Sequence, residues 1–166
     1  NKIIFLNSNT VFQVSEPDFK ENITYTRKVV ERYKYIDQID EYLLLTTDSY
    51  VFLYSPKDNR LVWSYHLANG YINSKPSPYK DYIVLYNYLE YTLIVLSIYD
   101  GKFLYKIQGL PSYFKSSDIT IYHDIIYFSG GYANYSYLAA IKLDGKFLWK
   151  KIFQYATGKM IPTVIY

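Results

Sequence analysis

The chain has 166 residues, of which 50% are hydrophobic and 20% are charged, and its formal net charge is +3. This length fits one domain or at most two small ones, and the hydrophobic content argues against disorder. The small, mixed charge gives no indication of a nucleic-acid or membrane partner. Because the chain has no cysteine, disulfides, thiolate nucleophiles, zinc–thiolate sites and iron–sulfur clusters are excluded.

Aromatic residues dominate the composition, with 23 Tyr, 9 Phe and 2 Trp. β-Strands favour Tyr, Phe, Ile, Val and Thr, whereas alanine, the best helix former, is scarce here. The composition therefore predicts an all-β chain. Its tyrosine-rich, cysteine-free character resembles secreted proteins of thermoacidophilic archaea, which implies a thermostable protein. The longest apolar run, 92–99, is far shorter than a membrane span.

In chain order, a pattern of short apolar segments occurs four times. The first copy has predicted strands at 2–6 and 10–14 and ends in a weak motif at 20–25. The next three copies have four predicted strands each, the first of them near 34–39, 74–78 and 117–122. They end in a shared motif, which reads Asp-Asn-Arg-Leu-Val-Trp at 58–63, Asp-Gly-Lys-Phe-Leu-Tyr at 100–105 and Asp-Gly-Lys-Phe-Leu-Trp at 144–149.

The motif copies recur about every 42 residues and end in an aromatic residue: Tyr25, Trp63, Tyr105 and Trp149. Gly101 and Gly145 supply the positive φ that a tight hairpin turn needs. Segments such as 82–86 are apolar without alternation, which is typical of strands buried on both faces. Four short strands in about 42 residues indicate a β-propeller blade, a length also typical of WD40-like repeats. We predict four blades, at 1–30 plus 160–166, 31–68, 69–108 and 109–153.

The segment 138–149, Leu-Ala-Ala-Ile-Lys-Leu-Asp-Gly-Lys-Phe-Leu-Trp, resembles the PQQ-like (quinoprotein-type) β-propeller repeat, with its Gly-Lys-x-x-Trp outer strand. The resemblance implies a propeller of four-stranded blades. Quinone-dependent members of that family cap the quinone with adjacent half-cystines, and this chain has no cysteine. It therefore resembles the non-enzymatic members, which implies no catalytic residues and no cofactor.

The phase of the repeats leaves the number of blades open. The chain starts at Asn1 on a predicted second strand and ends, at 160–166, on a predicted first strand. In one interpretation the last strand completes the first blade and closes a ring of four, which removes the open edge. In the other, the chain is part of a larger ring, made within a longer polypeptide or by the pairing of two chains.

Candidate chemical sites are few. His66 and His123 are predicted in different blades, one in an outer strand and one in a turn, whereas a metal site needs converging ligands. Four carboxylates cluster only in sequence, and a glycosidase needs two of them across a cleft: Asp37, Asp40, Glu41 and Asp48. We therefore expect no catalytic and no metal site.

Two sequons predict glycosylation at Asn22 and Asn134. Asn22 is predicted at the tip of an outer hairpin and Asn134 in a loop, and both positions are expected to be exposed. Genuine modification at these sites would fit an extracellular or cell-surface protein.

Loops expected at one face of the propeller are rich in Tyr, Asn, Ser and Gly, which are adaptable contact residues. They span 67–73, 87–91, 109–115, 130–137 and 154–159. We expect a non-catalytic structural or protein-interaction module, with a protein partner or self-association and no nucleic acid. The alternative is a carbohydrate-binding or carbohydrate-processing propeller, with a glycan as its ligand.

Overall fold

A computed structural model describes residues 2–7, 10–15, 20–26, 33–111, 116–132 and 134–154, and the side chains of 33–111, 118–131 and 134–154. The chain divides into two compact units, Asn1–Ala68 and Asn69–Tyr166. The described residues form fifteen β-strands in four antiparallel sheets. The prediction of an all-β chain is therefore confirmed.

The first unit contains two sheets in which consecutive strands are neighbours. The first sheet has three strands: β1 (Lys2–Asn7), β2 (Thr10–Ser15) and β3 (Lys20–Thr26). The second sheet has four strands: β4 (Tyr35–Ile39), β5 (Tyr42–Thr46), β6 (Tyr50–Ser55) and β7 (Arg60–His66).

The second unit contains two four-stranded sheets of the same meander topology. The third sheet consists of β8 (Ser77–Tyr79), β9 (Tyr82–Asn87), β10 (Thr92–Ser97) and β11 (Phe103–Ile107). The fourth sheet consists of β12 (Ser116–Tyr122), β13 (Ile125–Tyr132), β14 (Tyr135–Lys142) and β15 (Phe147–Gln154). The second, third and fourth sheets thus span residues 35–66, 77–107 and 116–154.

The middle strands of the second and third sheets are buried on both faces. In β9, every residue from Ile83 to Asn87 is buried, and β5 and β10 show the same continuous burial. These strands lack the apolar–polar alternation of a half-exposed sheet because both faces are removed from water. The sequence prediction for these strands is confirmed.

Each sheet has a β-bulge at the same place, between its last two strands. In the third sheet Val95 pairs with Tyr105 and Leu96 with Phe103, so Leu104 is the extra residue. The fourth sheet repeats this arrangement with Leu148 as the extra residue. In the first and second sheets, the extra residues of the bulges are Thr24 and Val62. The motif aromatic, Tyr25, Trp63, Tyr105 or Trp149, therefore always follows the bulged residue.

The outer hairpins turn at the predicted positions. Gly101 has φ 68° and Gly145 has φ 90°, and Asn59, at the equivalent place in the second sheet, has φ 50°. Asn is one of the few residues other than glycine that adopts this region readily. The Asp before each glycine accepts a hydrogen bond from the backbone N–H two residues later, at 3.3 Å in the Asp100 turn and 2.9 Å in the Asp144 turn.

The first sheet differs from the sequence expectation at two points. Asn22 does not lie at a hairpin tip, because the first sheet extends past it and Asn22 pairs with Gln13 within the β2–β3 ladder. The first sheet also has three described strands, and its bulge position matches these strands to the last three of the other sheets. The strand predicted at 160–166, which would complete this blade, lies outside the described residues.

Candidate interaction surface

Two of the predicted surface loops meet in the second unit, at the end of the third sheet. The segment before β8 runs alongside the β9–β10 loop, and Ile72 forms an isolated antiparallel bridge with Asn87. The Tyr88 N–H donates to the Tyr71 carbonyl at 2.8 Å. Backbone hydrogen bonds therefore join residues that are far apart in sequence and fix one loop against the other.

Asn87 is the residue that organises this contact. It is almost fully buried, and its Oδ1 accepts hydrogen bonds from the Tyr71 N–H at 3.3 Å and the Leu89 N–H at 3.1 Å. Ser74 adds a second tie, because its buried hydroxyl accepts from the Tyr86 N–H at 3.2 Å. Buried polar groups that satisfy backbone donors in this way hold a loop in one conformation.

Three half-buried tyrosines form the surface of these loops. Tyr71 and Tyr88 pack edge to face at a centroid distance of 6.3 Å, and Tyr88 and Tyr91 do so at 6.1 Å. Leu89 projects from the same turn with 59% of its surface exposed. Tyr91 has φ 53°, an uncommon conformation for an aromatic residue, and it closes the turn before β10. We call Tyr71, Tyr88, Leu89 and Tyr91 the tyrosine patch.

The side chains at the centre of the tyrosine patch are uncharged, and charged side chains lie at its rim. Beneath it, burial raises the pKa of the Tyr86 hydroxyl, with smaller contributions from Tyr91 and Tyr88. That hydroxyl stays protonated at every physiological pH. At the rim, Lys106 Nζ donates to Glu90 Oε2 at 3.2 Å. An apolar, aromatic centre with a polar rim is the usual layout of a protein-binding site.

The hairpins at the opposite ends of these strands carry ionic contacts between the third and fourth sheets. Lys80 Nζ donates to Asp124 Oδ1 at 2.7 Å, and the Asp124 N–H donates to the Tyr79 hydroxyl at 3.1 Å. The hydrogen bond to Lys80 lowers the pKa of the Asp124 carboxyl. The Tyr105 hydroxyl donates to the Leu143 carbonyl at 2.7 Å. These contacts tie the two sheets together.

The histidines lie where the sequence placed them, in an outer strand and in a first-to-second-strand turn. His66 stacks on Tyr50 at 4.3 Å, and His123 stacks on Tyr122 at 4.0 Å. Of the clustered carboxylates, Asp48 pairs with Lys34 at 2.7 Å, while Asp40 and Glu41 occupy the β4–β5 hairpin. Within 33–111, 118–131 and 134–154, no three His, Asp or Glu side chains are grouped to hold a metal ion.

The other predicted surface residues are only partly described. Asn134 is exposed in the turn between β13 and β14, as expected. Residues 112–115 and 155–159, from two of the predicted loops, lie outside the described residues. Across the part of the chain that the structure covers, no helix is long or apolar enough to cross a membrane.

Sequence reasoning selected the loops of the patch but missed its organising residue. Asn87 ends an apolar strand and precedes a turn, a common place for asparagine because its side chain can bond the backbone two residues on. That signal was present in the sequence. The bond to Tyr71 was not, because it depends on a chain segment sixteen residues away.

Comparison with known proteins finds the fold but no relative in sequence. No protein-family model matches the chain, and no curated protein matches it. The chain is similar to a chain in the crystal structure of a mitotic checkpoint complex, with a TM-score of 0.71, 8% identity, and coverage of 91% of this chain and 46% of that one. It is also similar to the WD40 domain of Toxoplasma gondii coronin, with a TM-score of 0.70, 9% identity, and coverage of 93% and 45%.

The fold is that of a β-propeller. WD40 domains are propellers of four-stranded blades, and the four-stranded meanders found here are blades of that kind. The chain spans a little under half the length of the structures it matches. At this level of identity the likeness extends to the fold alone.

Proposed function

We propose that the chain is a non-catalytic protein-interaction module that binds a partner protein through the tyrosine patch. The observation that carries the proposal is the buried Asn87 side chain, which is hydrogen-bonded to both loops. These bonds hold Tyr88 and Leu89 in a fixed position at the end of the sheet. A preorganised aromatic surface loses little conformational entropy on binding. A neighbour in the fold comparison belongs to a protein complex, which agrees with this proposal.

The partner chemistry follows from the patch. Leu89 is suited to an apolar pocket, and the tyrosine rings offer flat apolar area with a hydroxyl at the edge. We infer a partner surface with an apolar pocket rimmed by hydrogen-bond acceptors. Substitution of a central aromatic anchor typically weakens such binding by about 30-fold or more.

The test is affinity capture from the source cells, with wild type and variants compared by quantitative mass spectrometry. A genuine partner is retained by wild type and lost with Tyr88→Ala and Leu89→Asp. The control is Tyr99→Ala, which removes a tyrosine that is 72% exposed and lies outside the patch. Equal capture by all four proteins would show that the patch is not the binding surface.

Carbohydrate binding is the second candidate that the sequence raised. Sugar-binding sites combine open aromatic faces with available carboxylates. In the patch, the tyrosine rings contact each other edge to face and Glu90 is engaged by Lys106. This geometry favours a protein partner, and a glycan array probed with the labelled chain separates the two proposals.

We further propose an extracellular or cell-surface location, with membership of a PQQ-like, non-enzymatic propeller group and a thermoacidophilic archaeal source. The PQQ-like membership is supported by the repeat motif at 138–149, the archaeal source by the composition, and the location by the exposed position of the Asn134 sequon. Intact mass spectrometry of the natural protein is expected to show hexose-spaced excess mass. Asn134→Gln and Asn22→Gln should each remove one glycan, and an unmodified mass would contradict the glycoprotein proposal.

A further inference from the structure

Three glycines of the chain directly follow an Asn or Asp residue, and such pairs can react with themselves. The backbone nitrogen of the glycine attacks the side-chain carbonyl carbon of the residue before it, which closes a succinimide ring. Glycine favours the reaction because it has no Cβ to hinder the approach and its backbone is conformationally free. The three pairs are Asn69 with Gly70, Asp100 with Gly101, and Asp144 with Gly145.

In the Asp-Gly pair of the third sheet, both reacting groups are held by hydrogen bonds. The Gly101 N–H donates to the Ser97 carbonyl at 3.0 Å. The Asp100 carboxylate accepts from the Lys102 N–H at 3.3 Å and pairs with the Lys102 ammonium at 2.7 Å. Ring closure would have to break these bonds first, so folding protects this pair.

The Asp-Gly pair of the fourth sheet is held in the same way. The Gly145 N–H donates to the Lys142 carbonyl at 2.9 Å. Asp144 Oδ1 accepts from the Lys146 N–H, also at 2.9 Å. The hairpin that repeats in these two blades therefore protects its own Asp-Gly sequence.

The Asn69-Gly70 pair differs from both. It lies at the turn before the tyrosine patch, where Asn69 is exposed and Gly70 is half-buried. Within the part of the chain that the structure describes, neither the Asn69 side chain nor the Gly70 N–H takes part in a hydrogen bond. The nucleophile and the carbonyl carbon are therefore both available. Asparagine is also the more reactive partner, because ammonia leaves more readily than the oxygen of an ionised carboxylate.

We propose that Asn69-Gly70 is a site of spontaneous covalent modification, with water as the only other reactant. The Gly70 nitrogen forms a bond to Asn69 Cγ, the bond from Cγ to Nδ2 breaks, and ammonia leaves with the proton that the Gly70 nitrogen loses. Water then adds to one of the two carbonyl carbons of the succinimide. Opening at Cγ gives aspartate, and opening at the main-chain carbonyl gives isoaspartate.

The isoaspartyl product changes the path of the chain beside the tyrosine patch, because it lengthens the main chain by one methylene group two residues before Tyr71. The Tyr71 N–H donates to Asn87 Oδ1 at 3.3 Å, and its carbonyl accepts from the Tyr88 N–H at 2.8 Å. We expect both bonds to weaken and the edge-to-face contact between Tyr71 and Tyr88 to open. A resulting loss of partner binding is the one consequence that rests on the proposed function.

The test compares the folded 166-residue chain with the same chain unfolded in guanidinium chloride, both at neutral pH. Peptide mapping by mass spectrometry, with fragmentation that distinguishes isoaspartate from aspartate, follows all three pairs. Folding should slow the isomerisation of Asp100 and Asp144 at least about tenfold, because hydrogen bonds must break first. It should slow the loss of ammonia from Asn69 by no more than about threefold, because no such bond is present.

Two variants test the chemistry at the site itself. Gly70→Val should slow the reaction at least about tenfold, because a β-branched side chain hinders ring closure. Asn69→Gln keeps the amide on an exposed side chain and should stop the reaction, because its longer side chain must close a larger and less favoured ring. Circular dichroism establishes that both variants fold, and if Gly70→Val does not, Asn69→Gln still provides the test.

Amide-hydrogen exchange measures the effect on the patch. In the isoaspartyl fraction of aged protein, the N–H groups of Tyr71 and Tyr88 should exchange at least about tenfold faster than in fresh protein. Freshly prepared Asn69→Asp is the matched control, since it carries the new charge on a main chain of ordinary length. It should keep both N–H groups protected.

The proposal would be overturned if Asn69 stayed intact in the folded chain while it reacted in the unfolded chain. It would also be overturned if Asp100 or Asp144 reacted as fast in the folded chain as in the unfolded one. Unchanged exchange at Tyr71 and Tyr88 in the isoaspartyl fraction would contradict the effect on the patch. None of these measurements uses a partner protein, so a failure of this proposal is distinguished from a failure of the proposed function.

Discussion

The two tryptophans of the chain occupy the same position in two repeats and experience different surroundings. Trp63 in β7 and Trp149 in β15 both follow a bulged residue and both pair with the middle of the preceding strand. Trp63 is 8% exposed and Trp149 is 42% exposed. The repeat therefore determines the local backbone, whereas burial depends on what covers the sheet.

The largest expected effect is the loss of the buried tryptophan. Trp63→Ala should lower the free energy of unfolding by about 3–5 kcal/mol, because it opens a cavity in a covered sheet. Trp149→Ala should cost less than half as much, since its ring is already partly in water. Chemical denaturation of both variants measures the difference. Equal losses would show that the two sites are covered alike.

An intermediate effect is expected at the outer hairpins, which also differ between the two regions. The second sheet turns on Asn59 and the fourth on Gly145, both at positive φ. Gly145→Val should destabilise the chain by about 1–2 kcal/mol, because a β-branched residue is strained there. The cause is conformational, since an added Cβ would lie at an ordinary 3.6 Å from Ile107 Cγ1.

Gly145→Asn is the matched control, because it copies the residue that the second sheet uses at this turn. Its effect on the free energy of unfolding should be within about 1 kcal/mol. If Asn and Val were equally harmful, the two hairpins would not share a backbone conformation. Thermal unfolding followed by circular dichroism distinguishes these outcomes.

The smallest effect concerns charge at the third outer hairpin. Hydrogen bonding from the Lys102 side chain, and then from Ser97, lowers the pKa of the Asp100 carboxyl to about 2. Because the folded pKa lies below the ordinary value of 3.8, the stabilisation is present above that value and is lost as the pH falls towards 2. NMR titration of the Asp100 carboxyl should show the low pKa, and Lys102→Ala should return it towards 3.8. If the pKa of the Asp100 carboxyl were the same in Lys102→Ala as in wild type, Lys102 would not be the cause of the low value.

The sequence predicted those features that depend on neighbours in the chain. The strand at 82–86 was expected from its apolar residues and is observed as Tyr82–Asn87. Positive φ at Gly101 and Gly145 followed from the Asp-Gly turn motif. Such features repeat because each blade contains the same kind of hairpin, in which the chain reverses direction within a few residues.

Features that depend on distant segments could not be predicted. The bond from Asn87 to Tyr71 joins two loops, and the hydrogen bond from Tyr105 to Leu143 joins two sheets. Asn22 was misplaced because the first hairpin is longer than its equivalents and carries the strands past the motif. The exposure of Trp149 likewise depends on packing. Its motif is nearly identical to the motif at 100–105, which lies on a sheet that another sheet covers.

Tryptophan fluorescence quenching tests the central claim most directly, because the chain has two tryptophans and each can be studied alone. Trp149→Phe leaves Trp63, which should resist acrylamide at every protein concentration. Trp63→Phe leaves Trp149, which should be quenched readily because 42% of its surface is exposed. A Trp149 that is as shielded as Trp63 would contradict the account, in which the same position of the repeat is covered in the second sheet and partly exposed in the fourth.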